Sequence, residues 1–201
     1  MSDNNTKEAL MKATMDIVAE GGLNNFSMKK VTDRVGVSEA LVYKHFQTKD
    51  NLLYSCFERT HMEIGRLLGT LNVLKSQYTQ TELYQAVRMY WTIYFGFLIK
   101  NGNATLYYFL YRDSSYIKDI HEHDDEARRS YFLEFGDFFD LIDKKYNIYQ
   151  KVAGEHLWMY ILDVTGLFAK RVILGELPNT PDSIENIRQL IFGGIMGILQ
   201  M

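Results

Sequence analysis

The stretch SMKKVTDRVGVSEALVYKHFQTKDNL, residues 27–52, constrains the fold more than any other part of the 201-residue chain. Ser27 is a favourable N-cap, and the apolar residues after it recur at three- and four-residue steps, which predicts a first helix. Gly36 is expected to end that helix, because glycine adopts the backbone conformation of a turn without strain. Ser38 and Thr48 are expected to cap two further helices. Two helices joined by a short turn with glycine predict a helix-turn-helix, whose second helix enters the major groove in DNA-binding proteins.

The charge of this stretch supports a phosphate-binding role. Between residues 27 and 49 there are five basic and two acidic side chains, a net charge of +3, whereas the whole chain carries −3. A basic stripe on a slightly acidic protein is the electrostatic footprint expected of a DNA-binding face. The second helix, predicted from Glu39 to about Phe46, should bury Val42 and Phe46 and expose its other side. A helical hairpin with a purely structural role is the alternative, since folds are reused for other functions.

The order of residue types in this stretch resembles the N-terminal domain of the tetracycline-repressor (TetR) family of bacterial regulators. The resemblance covers about residues 7 to 55 and rests on Ser27, Val31, Gly36, Val37, Ser38, Tyr43, His45, Phe46, Lys49 and Leu52. The sequence departs from the usual family pattern at Thr32, Val35, Ala40 and Leu41, which affects the expected operator sequence rather than the fold. The resemblance implies a homodimeric regulator that binds near-palindromic double-stranded operator DNA, most simply a repressor released by a small-molecule effector.

Residues of the helix-turn-helix are the predicted DNA contacts. Tyr43, Lys44 and Lys49 are expected at phosphates, by resemblance and by chemistry. Ala40 and Leu41 can offer only apolar contact to thymine methyl groups, so we expect much of the affinity to come from backbone and shape readout. The predicted set is Ser27, Lys29, Ser38, Glu39, Ala40, Leu41, Tyr43, Lys44, His45, Thr48 and Lys49. For each of them a solvated helix face is the alternative.

The remaining sequence predicts an all-α protein of about nine helices, because apolar residues recur at helical spacing and no strand-like alternation occurs. A hydrophobic content of 47% is enough for a core that needs no disulfide or metal to stabilise it. The presence of only two prolines favours long helices. We predict a helix-turn-helix DNA-binding domain over residues 1–48 and a larger helical effector-binding and dimerisation domain over 49–201. The expected helices span about 6–20, 28–35, 39–46, 49–74, 82–100, 104–112, 124–146, 150–175 and 181–199.

The cysteine count, the apolar runs and the motifs of the sequence limit where the protein can be located and what chemistry it can carry out. Cys56 is the only cysteine, which excludes an internal disulfide, and the longest apolar-rich run, residues 89–99, is too short to span a bilayer. We therefore expect a cytoplasmic protein without membrane contact. No nucleophile motif or phosphate-binding glycine loop occurs, so we expect neither an enzyme nor a cofactor. Residues 121–126, HEHDDE, suggest a metal cluster, but residues two apart on a helix do not share a face, and we expect no metal site.

Aromatic residues are concentrated in the middle of the chain, ten of them between Tyr84 and Tyr111. Core packing is the usual explanation of such a stripe. A buried tyrosine hydroxyl needs a partner, however, and many tyrosines suit an apolar effector pocket with a few polar groups. The predicted effector contacts are Tyr94, Phe97, Tyr107, Tyr108, Tyr111, Trp158, Asp163 and Phe168. A C-terminal domain that docks a protein partner, and would leave many of these aromatics exposed, is the alternative.

The last two predicted helices are more apolar than one monomer face requires. The last helix contains three glycines, which lower its helix propensity: Gly193, Gly194 and Gly197. Their presence is explained if another helix approaches closely at these positions. We therefore predict a dimer interface formed by Gly154, Gly166, Ile187, Ile191, Gly194, Ile195 and Ile198. Internal packing within one chain is the alternative.

Overall fold

A computed structural model of the chain describes residues 3–70, 79–116, 140, 143–144, 147, 150 and 152–200. The described residues contain no strand, and eight α-helices are described from end to end, so the all-α fold class is confirmed. In chain order these helices are α1 (Asp3–Gly21), α2 (Met28–Val35), α3 (Glu39–Phe46), α4 (Lys49–Thr70), α5 (Gln80–Lys100), α6 (Gly102–Arg112), α7 (Gly154–Ile173) and α8 (Pro181–Gln200).

The first three helices have the ends that the sequence predicts, with two exceptions. Ser27 caps α2, because its hydroxyl accepts a hydrogen bond from the Lys30 amide at 3.3 Å, and Gly36 ends α2 at φ 75°. Ser38 occupies the N-cap position of α3, but its side chain makes no capping hydrogen bond. Helix α1 begins at Asp3, three residues before the expected start.

Further along the chain, helix ends differ from the prediction by a few residues. Thr48 caps α4 by accepting a hydrogen bond from the Asn51 amide at 3.0 Å. Thr79 and Glu82 form a reciprocal capping box that starts α5 two residues earlier than expected. Only Asn101 separates α5 from α6, and α7 begins at Gly154 rather than at residue 150. The helix predicted over 124–146 lies almost entirely outside the described residues, as does the expected end of the helix at 71–74.

The described residues form two compact units. The first comprises residues 3–64 and 101–116, and α1 is its central helix, packed against α2, α3 and α6. Leu10, Ile17 and Val18 of α1 are buried there. Phe26, Val31, Val42 and Phe46 form the small core of the helix-turn-helix, whereas Val37 is only half-buried.

The second unit contains α5, α7 and α8, with α7 packed against both other helices. Thr180 precedes its last helix, and the Thr180 hydroxyl accepts a hydrogen bond from the Ser183 amide at 3.3 Å, as the predicted helix start requires. In the described part of the chain, no helix is long and apolar enough to cross a membrane. The division of the chain at residues 48 and 49 into two functional domains stays a prediction.

Candidate nucleic-acid interface

Helix α3 presents four predicted DNA contacts on its exposed side. Glu39, Ala40, Tyr43 and Lys44 are exposed, and the Tyr43 side chain keeps 45% of its surface accessible. The inward residues of α3 are Val42 and Phe46, as predicted, because they are four apart on one helix face. Leu41 is half-buried at the edge of this surface. The geometry of α3 is therefore that of an amphipathic helix with one exposed polar face.

The remaining predicted contacts flank α3 at helix ends. Lys29, Ser38, Thr48 and Lys49 are exposed, and Ser27 is half-buried at its capping position. Lys49 lies in the first turn of α4, and its ammonium group sits over the Phe26 ring at 5.3 Å from the centroid. Because backbone N–H groups at a helix start favour an anion, the starts of α2 and α4 suit phosphate groups. These side chains therefore lie at the starts of α2 and α4 and at the two ends of α3.

Internal pairing divides the basic residues of this surface into two groups. Arg34 makes a bidentate ion pair with Glu20, at 2.8 and 2.9 Å, and these hydrogen bonds lower the pKa of Glu20 and raise that of Arg34. Lys30 donates to the Asn25 carbonyl at 2.9 Å. Both cations are thus engaged with α1 and the turn that follows it. Lys29, Lys44 and Lys49 are the better candidates for phosphate contacts, since each of them is exposed without such a bidentate pair.

His45 does not share the exposed face on which the sequence analysis placed it. Its side chain is only 7% exposed, and its Nε2 atom lies 3.6 Å from the Asp3 carboxylate. The reason is helical geometry: His45 follows Val42 by three residues, and residues three apart are neighbours on one helix face. The spacing could therefore have assigned His45 to the inward side from the sequence alone.

Three predicted effector contacts belong to an aromatic cluster in the first unit, which we call the α4–α6 stack: Phe57, His61, Tyr107, Tyr108 and Tyr111. The Phe57 ring is stacked on Tyr108 at 5.0 Å and on Tyr111 at 5.1 Å between centroids. The Tyr107 hydroxyl donates to the Leu53 carbonyl at 2.6 Å, and burial raises the pKa of Tyr107 well above its ordinary value. Tyr108 Oη lies 3.1 Å from His61 Nδ1. Tyr107 and Tyr111 are fully buried, so they act as core here.

The other predicted effector contacts lie in the second unit. Tyr94 is buried, whereas Phe97, Asp163 and Phe168 are half-buried. Trp158 lies on α7, and its side chain is outside what the structure describes. The structure thus distributes the predicted effector contacts over both units instead of placing all of them in one cluster.

The sequence analysis missed a second cluster, which we call the α5–α8 cluster: Tyr84, Trp91, Phe95, Thr165, Glu185, Arg188 and Phe192. Trp91 is stacked on Phe95 at 4.7 Å, and its Nε1 donates to the Thr165 hydroxyl at 3.1 Å. The buried Arg188 donates to the Tyr84 hydroxyl at 3.2 Å and to Glu185 at 2.8 Å. Hydrogen bonds from Arg188 and Gln189 lower the pKa of Glu185 to about 2. The three-residue spacing of Glu185 and Arg188 was the sequence signal for this pair.

The predicted dimer residues of α8 fall on two different faces. Ile187 and Ile191 are buried within their own unit, Ile191 to 1% exposure, so a partner chain cannot reach them in this structure. A Cβ on Gly194 would collide with the Tyr160 hydroxyl of the same chain. Added Cβ atoms on Gly193 and Gly197 would instead meet open space. These two glycines therefore leave room beside α8, whereas Gly194 makes room for internal packing.

A separate stripe of α8 is exposed at helical spacing and comprises Leu190, Gly193 and Gly197, with Leu190 63% exposed. On α7, Met159 and Leu167 are also exposed. Gly166 is buried, and Gly154 is the first residue of α7. The side chains of Ile195 and Ile198, and the acidic segment 121–126, lie outside the described residues.

Residues 10–56, which include the whole helix-turn-helix, match the family model of bacterial regulatory proteins of the tetR family. No curated protein matches the chain significantly. The predicted resemblance of the N-terminal region to this family is therefore confirmed.

Solved structures of regulators have the same fold as this chain. A TetR family transcription regulator from Marinobacter aquaeolei VT8 superposes with a TM-score of 0.71 at 16% identity, over 95% of each chain. A TetR-family transcriptional regulator from Haemophilus influenzae Rd gives 0.62 at 20% identity, over 95% of this chain and 96% of that one. The fatty acid degradation regulator FadR from Bacillus halodurans gives 0.68 at 15% identity, over 94% and 95%. At these identities the similarity establishes the fold.

Proposed function

Since its N-terminal residues match the DNA-binding region of the tetR family and its fold is that of TetR-family regulators, we infer that this chain is a homodimeric, sequence-specific transcription regulator. It acts most simply as a cytoplasmic repressor that leaves a near-palindromic operator when a small, largely apolar or aromatic effector binds. Residues 1–48 form the DNA-reading domain, and residues 49–201 bind the effector and the second subunit. No catalytic step is part of this proposal.

The exposed face of α3 is the observation that carries the proposal. Tyr43 and Lys44 are exposed on that face, where the Lys44 ammonium lies 3.5 Å from the Asp3 carboxylate, and Lys29 and Lys49 are exposed at the starts of α2 and α4. We propose that the three lysines and the Tyr43 hydroxyl contact the phosphates on either side of a DNA major groove. Glu39 and Ala40 are the residues nearest to base edges in this arrangement.

A salt titration of DNA binding tests the proposal. Binding sites would first be selected from random DNA with the wild-type protein, and the affinity for the selected site would then be measured by fluorescence anisotropy at several salt concentrations. We expect a steep salt slope, which Lys49→Ala flattens by about one charge per bound subunit. Lys100→Ala, at the exposed end of α5, is the matched control that keeps the slope. A selection that returns no preferred sequence would exclude sequence-specific DNA recognition.

The effector role is supported by the mixed character of the aromatic residues. In the α4–α6 stack, His61 and Tyr108 supply a polar pair at the edge of stacked rings. In the second unit, the half-buried Phe97, Asp163 and Phe168 offer apolar surface and one acid. Aromatic and apolar compounds, with cationic ones included because of Asp163, form the first library to screen for release of DNA. Release by a protein partner only, with no compound active, would favour the partner-controlled alternative.

The exposed stripe of α8 is the surface we propose for the second subunit. Leu190 is the large apolar residue of that stripe, and the neighbouring glycines allow another helix to approach closely. Leu190→Glu should therefore convert the dimer to monomer in sedimentation experiments. Leu174→Glu, which changes a similarly exposed leucine after the end of α7, should leave the dimer intact. A monomeric wild type, or an intact Leu190→Glu dimer, would remove this surface from the proposal.

A further inference from the structure

We propose that Lys7 of α1 is a further DNA phosphate contact, held in place by the ring of Phe46 at the end of α3. This inference rests on the proposed DNA-binding function and extends the interface to a helix outside the helix-turn-helix. The sequence analysis did not include Lys7 among the DNA contacts. Its ligand would be the phosphate backbone, so it would add affinity without reading bases.

The first two turns of α1 lie beside the end of α3, against which α1 packs in the first unit. Asp3 Oδ1 lies 3.5 Å from Lys44 Nζ and 3.6 Å from His45 Nε2. Lys7 follows Asp3 by four residues, so both lie on one face of α1. The Lys7 ammonium accordingly sits over the Phe46 ring, 5.7 Å from its centroid. Lys7 thus lies beside the end of α3 that carries Lys44, for which we propose a phosphate contact.

The partner of Lys7 is a ring rather than an acid. Phe46 is 4% exposed, so the core fixes its ring, whereas Lys7 is exposed. An aromatic ring attracts an ammonium group through its quadrupole and carries no charge of its own. A lysine held in this way keeps its full positive charge for a phosphate. Because the ring also restricts where the ammonium lies, less side-chain entropy is lost when the phosphate binds.

The carboxylates next to Lys7 on α1 have other partners. Asp3 pairs with Lys44, and Glu8 pairs with Arg59. In the part of the chain that the structure describes, no acid lies within ion-pair distance of Lys7. The charge of Lys7 is therefore not neutralised by a pair within the protein.

The same arrangement occurs at Lys49, to which chemistry and the family resemblance both assign a phosphate. The Lys49 ammonium sits over the buried Phe26 ring, 5.3 Å from the centroid. Lys12 of α1 is held differently, since it pairs with the Asp16 carboxylate at 2.7 Å. An acid that pairs with a lysine cancels its charge, so Lys12 is the matched control for Lys7 on the same helix.

A salt titration of DNA binding tests the proposal. Affinity for the selected site would be measured by fluorescence anisotropy for wild type, Lys7→Met and Lys12→Met. Lys7→Met keeps a long apolar side chain over the ring and loses the charge, so the salt slope should fall by about one per bound subunit. At about 0.1 M salt its affinity should fall roughly eightfold per bound subunit, the factor that a slope of about 0.9 accumulates between 1 M and 0.1 M. Lys12→Met removes the same charge and should keep the wild-type slope.

Two further measurements separate a phosphate contact from a structural role of Lys7. A cation beside the end of α3 also interacts favourably with the dipole of that helix. If this were its only role, Lys7→Met would lower Tm and affinity without changing the salt slope, and that result would overturn the proposal. Lys7→Arg restores the charge and should recover the wild-type slope. An Arg variant with the low slope of the Met variant would equally contradict a phosphate contact.

Binding to unrelated DNA separates this inference from the proposed function. A phosphate contact is independent of base sequence, so Lys7→Met should weaken binding to unrelated DNA and to the selected site by the same factor. If the selection returned no preferred site, the proposed function would fail, and the titration on unrelated DNA would still decide the role of Lys7. If wild type bound specifically and Lys7→Met kept its slope, only the Lys7 contact would be refuted. A wild type that binds no DNA even at low salt would refute both.

Discussion

The α4–α6 stack and the α5–α8 cluster both bury aromatic side chains, but different contacts hold them in place. In the α4–α6 stack, the rings of Phe57, Tyr108 and Tyr111 lie face to face, and the Tyr107 hydroxyl reaches a backbone carbonyl. In the α5–α8 cluster, side chains hold one another: Trp91 donates to Thr165, and Arg188 spans Glu185 and Tyr84. The first depends on ring contact, whereas the second depends on polar side chains at fixed positions.

This difference teaches where each cluster is vulnerable and where it can respond to a ligand. A stack of rings loses stability with ring area, and it tolerates loss of one hydroxyl better than loss of a ring. A cluster built on side-chain hydrogen bonds loses stability when one partner is removed and the other stays buried. An effector that reached either cluster would have to replace an existing hydrogen bond, between Tyr108 and His61 in the first or between Arg188 and Tyr84 in the second.

The largest expected effect comes from removing a ring of the α4–α6 stack. Tyr107→Ala should lower the free energy of unfolding by about 3–5 kcal/mol, because a fully buried aromatic side chain leaves a cavity. Tyr107→Phe keeps the ring and loses only the hydrogen bond to Leu53, at a cost of about 1 kcal/mol. Hydrogen exchange of the α6 amides, read alongside urea unfolding, reports the change in this unit. A Phe variant as damaging as the Ala variant would show that the hydroxyl, not the ring, holds the stack.

A smaller effect is expected from removing one partner in the α5–α8 cluster. Thr165→Val leaves the buried Trp91 N–H unsatisfied and should cost about 1–3 kcal/mol. Tryptophan fluorescence during urea unfolding measures this, since Trp91 and Trp158 are the only tryptophans and both belong to the second unit. Thr92→Val is the matched control, because the exposed Thr92 hydroxyl donates to a carbonyl of its own helix, that of Arg88. If the two variants were equally stable, the side-chain hydrogen bond would not hold the cluster.

How much could be predicted from the sequence depends on whether a feature is set by neighbouring residues or by contacts between helices. Caps, glycines and helical periodicity act within a few residues, so α2, the turn at Gly36, α3 and the start at Thr48 were placed correctly. The two faces of α8 could not be separated in that way. Ile187 and Leu190 are both apolar and three residues apart, and only packing against α5 and α7 decides which of them is buried.

For the site residues too, the sequence predicted exposed faces but not contacts between residues far apart in the chain. The exposed face of α3 followed from the positions of Val42 and Phe46, but the approach of Asp3 to His45 joins residues 42 positions apart. Likewise, the spacing of Glu185 and Arg188 suggests a pair, whereas their link to Tyr84 depends on a contact between helices far apart in the chain. Short-range patterns predicted elements and faces, and tertiary contacts assigned the partners.

The smallest expected effect concerns the half-exposed acid of the α5–α8 cluster, and it tests whether polar side chains of that cluster act through charge. The pKa of Glu185 is lowered from 4.5 to about 2 by hydrogen bonds from Arg188 and Gln189. A carboxyl with a lowered folded-state pKa contributes stability above its unfolded-state pKa, and that contribution is lost as pH falls from about 4.5 to 2. Wild type should therefore have a higher Tm than Glu185→Gln at pH 7, and the difference should vanish near pH 2. Glu176→Gln, which breaks the exposed pair with Arg171 at the end of α7, is the matched control and should shift Tm less at pH 7. A Tm difference that persists at pH 2 would mean that Glu185 acts through packing, and the two clusters would then differ less than their hydrogen bonds indicate.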